Sequence, residues 1–304
     1  MTRRLAALLA AGLLAAMAGQ AQPACVPAPS GMTVWWPAEG NAIDIVGTNN
    51  GVLLGGLGFT NGEVGQGFCF NGPNQGVMIP AGPSLALGVF FTIECWINPS
   101  DLSTPHPIAE WNDGNGHYGV QLFISADGAG DIWVNIWNGL YDQRGRPLFI
   151  LLSTGSGVVT TNTFQHVALT CYWAENGLVA TLYYNGRGVA GWGPGLITPK
   201  TSGNLYLGYS PSSKQSFAGV LDEVTFYNRA LSGGEIAAIY NAGVAGKCPL
   251  PPFNLTLPVS QPAAVGGNVV FNVVAHGTGL LAYQWLFNGS PIVGCTNASL
   301  TLPS

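Results

Sequence analysis

Charge is scarce in this chain. Asp, Glu, Lys and Arg make up 8% of its 304 residues and form no run of one sign. With 14 acidic against 9 basic residues, the charge balance makes nucleic acid a poor partner. The six cysteines, at positions 25, 69, 95, 171, 248 and 295, include no C-x-x-C pair, which excludes the usual thiolate metal centres. His106, His117, His166 and His276 are scattered without metal or nucleophile spacing, and His166, inside an apolar strand pattern, reads as a satisfied structural histidine. The G-x-S-x-G nucleophile elbow is absent too, since Gly208-Tyr-Ser-Pro-Ser212 fails at its last residue. Apart from Leu5 to Ala18 no apolar run approaches the roughly 20 residues that a membrane-spanning helix needs.

What is present begins with an export signal. Arg3 and Arg4, the apolar run and then Gly19-Gln20-Ala21 have the basic, hydrophobic and small-residue parts of a signal peptide over residues 1–21, implying a secreted, extracellular or cell-surface protein. Its removal leaves seven basic residues against 14 acidic ones. An apolar fraction of 47% is ample for a core, and 44 glycines and 21 prolines make the chain a turn-rich β protein. From Thr33 to Tyr227 short strands recur between Gly, Asn and Pro clusters, the pattern of an all-β, two-sheet antiparallel sandwich.

The last of these strands is Val220 to Tyr227, with Val220, Val224 and Phe226 in alternation and Asp222 and Glu223 near its start. Ser232 precedes Glu235 by three residues, the capping-box spacing. A helix of about two turns is expected to follow, with Ile236, Ile239 and Tyr240 as its apolar stripe and Gly243 as its stop. At Pro249-Leu-Pro-Pro252 the composition changes to a proline-rich linker, 249–258, and a second region, 259–304, begins.

The closing segment LDEVTFYNRALSGGEIAAIYNAG (Leu221 to Gly243), together with TVWWPAEG (from Thr33), DIVGTNNGVL (from Asp44), GQGFCFNG (from Gly65), FTIECWINP (from Phe91), QHVALT (from Gln165) and LYYNG (from Leu182), resembles, in order, the strands of the laminin-G-like (concanavalin A-like lectin/glucanase) jelly-roll family. The resemblance covers residues 25–248 and implies a jelly-roll sandwich with one short C-terminal helix. It also implies that the first and last strands lie together, so that Cys25 pairs with Cys248. Cys95 and Cys171 fall in strands that pair in the family; a bridge and two buried free thiols both remain open. NVVFNVVA (from Asn268), YQWLFNG (from Tyr283) and Ala298 to Leu302 resemble the first half of an immunoglobulin-like module with Trp285 as its core tryptophan. The missing second half suggests a piece of a longer multidomain protein.

Three kinds of chemistry are open. The family often holds Ca²⁺ where an Asp loop meets the closing strand; the matching positions are Asp44, Asn49, Asn50 and Asp222, oxygen donors of the type Ca²⁺ takes. The bland alternative is that these residues make Asx-turns and anchor loops. In Asp131 to Asn138 (DIWVNIWN) Ile132, Val134 and Ile136 share one face and Trp133, Asn135 and Trp137 the other. The two indoles stand about 13 Å apart, so they could stack on sugar rings around an amide, with Trp111, Asn112, Asp113, Tyr141, Asp142 and Arg144 as a rim. Equally, they could pack beneath a neighbouring loop. Catalysis has least support: glycosidases need two carboxylates about 5–10 Å apart, and the alternating E-x-D-x-(x)-E strand of hydrolases on this fold does not occur. The expected role is therefore noncatalytic recognition of glycans or extracellular protein ligands, with an architectural spacer as the alternative and a glycoside hydrolase third.

Overall fold

The structure, a computed structural model, describes residues 24–114, 117–125, 130–141, 143–144, 147–251, 253–256, 258–262, 267–276 and 281–303. Residues 1–21, expected from the sequence to be an export signal, and Asp142 lie outside them, as does the side chain of Tyr141. Among the described residues two antiparallel sheets face each other, as expected for the all-β jelly roll. The front sheet has seven strands, in the spatial order Pro147–Ser153, Ile132–Tyr141, Tyr118–Ile124, His106–Asn112, Asn204–Leu207, Gly76–Ile79 and Val52–Leu54. The back sheet has eight: Arg187–Gly195, Gly177–Tyr184, Gln165–Ala174, Phe91–Pro99, Gly219–Tyr227, Gln66–Phe70 and Gly58–Asn61, with Met32–Trp36 pairing Gly219–Tyr227 off the main path.

The core between the sheets follows from alternation. Ile132, Val134 and Ile136 of the front sheet are fully buried against Ile93, Ile97, Val167 and Leu169 of the back sheet, while their sequence neighbours face outward. Trp36 and Trp111 both pack on Phe226 with ring centroids 5.4 Å away, one edge-on and one stacked. The closing strand departs from simple alternation. Its pairing with Phe91–Pro99 shifts register between Asp222 and Thr225, and Glu223 has φ +56, a β-bulge. The extra residue changes the phase, so Leu221, rather than Val220, joins Val224 and Phe226 in the core. Asp222 and Glu223, consecutive in sequence, both end up buried outside that core.

The far face of the back sheet is covered by the helix Gly233–Ala242, somewhat longer than the two turns expected. Ile236 and Ile239 pack with Ala168, Tyr227 and Leu231. The capping box forms in both directions: Ser232 Oγ accepts from the Glu235 N–H and Glu235 Oε2 accepts from the Ser232 N–H at 2.8 Å. Gly243, at φ +49, ends the helix. Beside it the chain ends of this domain are tied by the Cys25–Cys248 disulfide, with a Cα–Cα distance of 4.8 Å, and the Cys248 N–H donates to the Val26 carbonyl. Cys95 and Cys171 are buried free thiols. The ladder places Cys95 opposite Val167 and Cys171 opposite Phe91, so the two are out of register with each other.

In the second region Phe253–Thr256 pairs with Val274–His276, Val269–Asn272 with Ser299–Leu302 and Leu286–Phe287 with Ser290–Pro291. Trp285 packs on Phe271 and its indole N–H donates to the Asn297 carbonyl at 2.8 Å.

Candidate functional site

The outer face of the front sheet gathers most of the polar chemistry. Strand pairing puts Leu151, Asn135, Gln121, Glu110, Tyr206 and Met78 in one row running across five strand boundaries. At its centre the side chains form a continuous hydrogen-bonded rail. Asn135 Nδ2 donates to Gln121 Oε1 (3.0 Å), Gln121 Nε2 to Glu110 Oε2 (2.7 Å), and Asn112 Nδ2 and Ser212 Oγ to Glu110 Oε1 (2.7 and 3.1 Å). Ser212 and Ser210 hydroxyls are 3.0 Å apart. Beside this row Trp133 stands opposite Phe123, both half-buried.

These serines belong to a small hairpin, Tyr209–Ser210 with Gln215–Ser216, that folds over the His106–Asn112 strand. Between hairpin and sheet lies a cleft of about 170 Å³, bounded by Pro107, Glu110, Gln121, Phe123, Ser210 and Ser212 among others. Glu110 is 1% exposed at its floor. A buried carboxylate normally accepts hydrogen bonds or faces a cation; the partners of Glu110 are three neutral donors.

The residues proposed as a glycan platform are thus partly assembled and partly dispersed. Asn135 and Asn112 join the same rail, and Trp133 flanks it. Trp137 does not present an open ring: it is 6% exposed, its N–H donates to the Leu140 carbonyl, and Lys200 lies 5.5 Å over the ring with His117 and Tyr118 against it. Trp111 is a correction, because alternation turns it to the opposite face from Glu110 and Asn112. It sits in the core, with its N–H on the Leu85 carbonyl. Asp113 binds the His117 backbone and ring and faces Lys200 at 3.9 Å, at the strand end and off the rail. The signal missed in the sequence is the Glu110-Trp111-Asn112 alternation, which already places an acid and an amide on the face that Trp111 leaves.

The calcium set folds differently. Asp44 is fully buried; Oδ1 accepts from the N–H groups of Trp35, Val46 and Gly47, and Oδ2 from the backbone and side-chain amides of Asn49, all at 2.8–3.1 Å. Five donors saturate the lone pairs of one carboxylate. The Asn50 side-chain oxygen Oδ1 accepts from the Asp44 N–H, and Asn49 Oδ1 accepts from the Ser84 hydroxyl. Asp222 Oδ2 accepts from the Val64 N–H at 2.9 Å, and its Oδ1 is buried without a partner. Asp44 and its loop are a closed Asx-type turn whose oxygens face N–H donors, an arrangement that does not fit Ca²⁺. Among the described residues no group of three or more His, Cys, Asp or Glu side chains gathers as for a metal.

A second polar cluster lies under the terminal segment, on the far face of the back sheet. Lys247 Nζ is 3.1 Å from Glu94 Oε1 and 2.8 Å from Glu223 Oε2, and lies 4.9 Å over the Trp35 ring. His166 Nε2 is 3.1 Å from Glu94 Oε2, and Tyr227 OH donates to Glu94 Oε1. All of these groups are at most 5% exposed; His166 is held through Nε2 by Glu94, while its Nδ1 is buried without a partner among the described residues.

This two-sheet frame has relatives. A profile described as the concanavalin A-like lectin/glucanases superfamily matches residues 71–237. The chain belongs to that superfamily. No curated protein sequence matches it. Among solved structures, the binding domain of Paraclostridial Mosquitocidal Protein 1 superposes with a TM-score of 0.53 at 17% identity, covering 90% of this chain and 70% of that one. Domain 4 of the extracellular arabinanase AbnA of Geobacillus stearothermophilus, in complex with arabinotriose, gives 0.48 at 17% identity over 68% of this chain and 96% of the other. The CBM40 module of a Ruminococcus gnavus sialidase bound to α2,3 sialyllactose gives 0.45 at 17% identity over 57% and 96%. At 17% identity the first of these bears on fold alone. Among the described residues no helix is long and apolar enough to cross a membrane.

Proposed function

We propose that this lectin-superfamily member is a noncatalytic carbohydrate-recognition module of a secreted protein, and that it takes its glycan on the outer face of the front sheet. The observation that carries the reading is the Asn135–Gln121–Glu110 rail beside Trp133 and Phe123. Sugar recognition calls for amides and hydroxyls in a fixed row, to bond hydroxyl groups, next to apolar rings that cover sugar C–H faces. Here the row is held by strand register. The Cys25–Cys248 disulfide agrees with an oxidising, exported setting.

Noncatalytic recognition is supported by the single carboxylate, Glu110, among the residues bordering the cleft, since glycoside hydrolysis uses a pair. The test is a glycan array followed by titration calorimetry. Trp133→Ala and Asn135→Ala are each expected to weaken binding by about tenfold or more, whereas Trp173→Ala, at a half-exposed position of the back sheet, leaves it intact. Equal binding by all three proteins would remove the front-sheet site. The covered ring of Trp137 favours the second reading, an architectural spacer, and absence of binding to any glycan would select it.

Recognition on this face is also proposed to be independent of calcium. A chelator is expected to leave the thermal midpoint and glycan binding unchanged, because a native-state ligand always raises stability. A drop in the midpoint on chelation, restored by added Ca²⁺, would show that the native protein binds the ion and overturn this proposal.

A further inference from the structure

We infer that the cleft beside the rail selects a cationic sugar, a glycan bearing a free amine, with Glu110 as its counter-charge; the inference rests on the glycan reading above and names its substrate class. Glu110 is 1% exposed, yet its three partners, Asn112, Gln121 and Ser212, are all neutral. No lysine, arginine or histidine pairs with it among the described residues, and none borders the cleft. Lys214, between the cleft-lining Ser213 and Gln215, is itself exposed on the hairpin loop.

The physics of that arrangement has a direction. A carboxylate withdrawn from water gives up hydration that neutral hydrogen bonds replace only in part. A ligand ammonium that enters the cleft forms a charge-assisted hydrogen bond, about twice as strong as a neutral one. A ligand carboxylate meets a like charge where screening is poor. The same cleft therefore favours an amine, accepts a hydroxyl weakly and rejects an acid. Its volume, about 170 Å³, is small beside the roughly 300–1,000 Å³ of pockets for drug-sized ligands, so it takes one ring or one substituent while the rest of an oligosaccharide lies along the rail.

Three probes with one backbone isolate the substituent: the β-1,4-linked tetramer of glucosamine, its N-acetylated form, and cellotetraose, titrated in slightly acidic buffer in which the amine is charged. The intact protein is expected to bind the glucosamine tetramer about tenfold or more tighter than the other two, with the preference shrinking as salt is raised. In Glu110→Gln, checked by its thermal melt, the preference should fall to within about twofold; the wild-type comparison and its salt dependence need no variant and stand if that protein fails to fold. Cellotetraose or the acetylated tetramer binding as tightly as the amine would overturn the inference while leaving glycan recognition in place. Failure to bind any of the three would also overturn it, and the array with Trp133→Ala would then decide the broader reading separately.

Discussion

Replacing Lys247 with alanine is expected to cost about 3–5 kcal/mol of folding stability, measured by urea unfolding with the Cys25–Cys248 bridge intact. Lys247 is 1% exposed and stands between two carboxylates that are 0–2% exposed, Glu94 and Glu223. Burial alone would push the ammonium toward neutrality; the charges and hydrogen bonds of Glu223 and Glu94 outweigh it and hold the lysine protonated. Removing the cation strands two negative charges that solvent cannot reach, and the loss of its contact over Trp35 adds to the cost. Combining Lys247→Met with Glu94→Gln and Glu223→Gln should recover much of the loss, because a buried ion cluster replaced as a whole is often close to neutral in stability. A single-variant loss under about 1 kcal/mol would mean that water reaches these acids and that the cluster behaves as a surface pair.

The second large effect is in the pH profile of stability. Asp222 has its pKa raised to about 8, first by burial and then by the neighbouring Glu223 charge, against the Val64 N–H that favours ionisation. The native state therefore holds a proton that the unfolded chain, at 3.8, has already released. Stability from this group is fully present below about 3.8 and is lost as pH rises through about 8. Glu223, also raised by burial, acts in the same direction. Glu94 has the opposite sign: burial works against its ionisation, but Lys247 and His166 hold it at about 2, so its contribution is present above 4.5 and is lost as pH falls toward 2. His106, lowered by burial, adds acid-side loss below 6.5. The Asp222 effect is cleanest between about 6.5 and 8, with an expected decline of about 1.4 kcal/mol per pH unit. Asp222→Asn should flatten that limb and leave the acid limb intact. A wild-type stability that stays level from pH 6.5 to 8 would show that Asp222 is ionised in the native protein.

Much of the fold was legible because its signals are local. Period-two alternation in Ile132, Val134 and Ile136 has one solution when one face meets a core, and the Ser232 to Glu235 spacing specifies its own capping box. The Cys25–Cys248 pairing came from the family resemblance, and the structure brings those two ends together. The site was less legible. Alternation tells which face a side chain takes, but not what covers that face: Trp137 shares the outer face with Trp133, yet Lys200, distant in sequence, lies over its ring. Trp111 was assigned to a loop rim although its strand continues through it into the core. The bulge at Glu223 also escaped, since one extra residue reverses the phase of everything before it and carries Leu221 inward in place of Val220.

By itself the chain's sequence determined the two-sheet class, the inward faces of most strands and the closing strand, turn and capped helix, since each depends on neighbours within a few residues. Only the tertiary structure decided that Glu110, Gln121 and Asn135 form one rail, that the Asp44 oxygens are filled by amide donors, and that Lys247 lies between Glu94 and Glu223. Those contacts join residues up to 153 positions apart, and both their geometry and their low-dielectric surroundings come into existence only when the strands pair and exclude water.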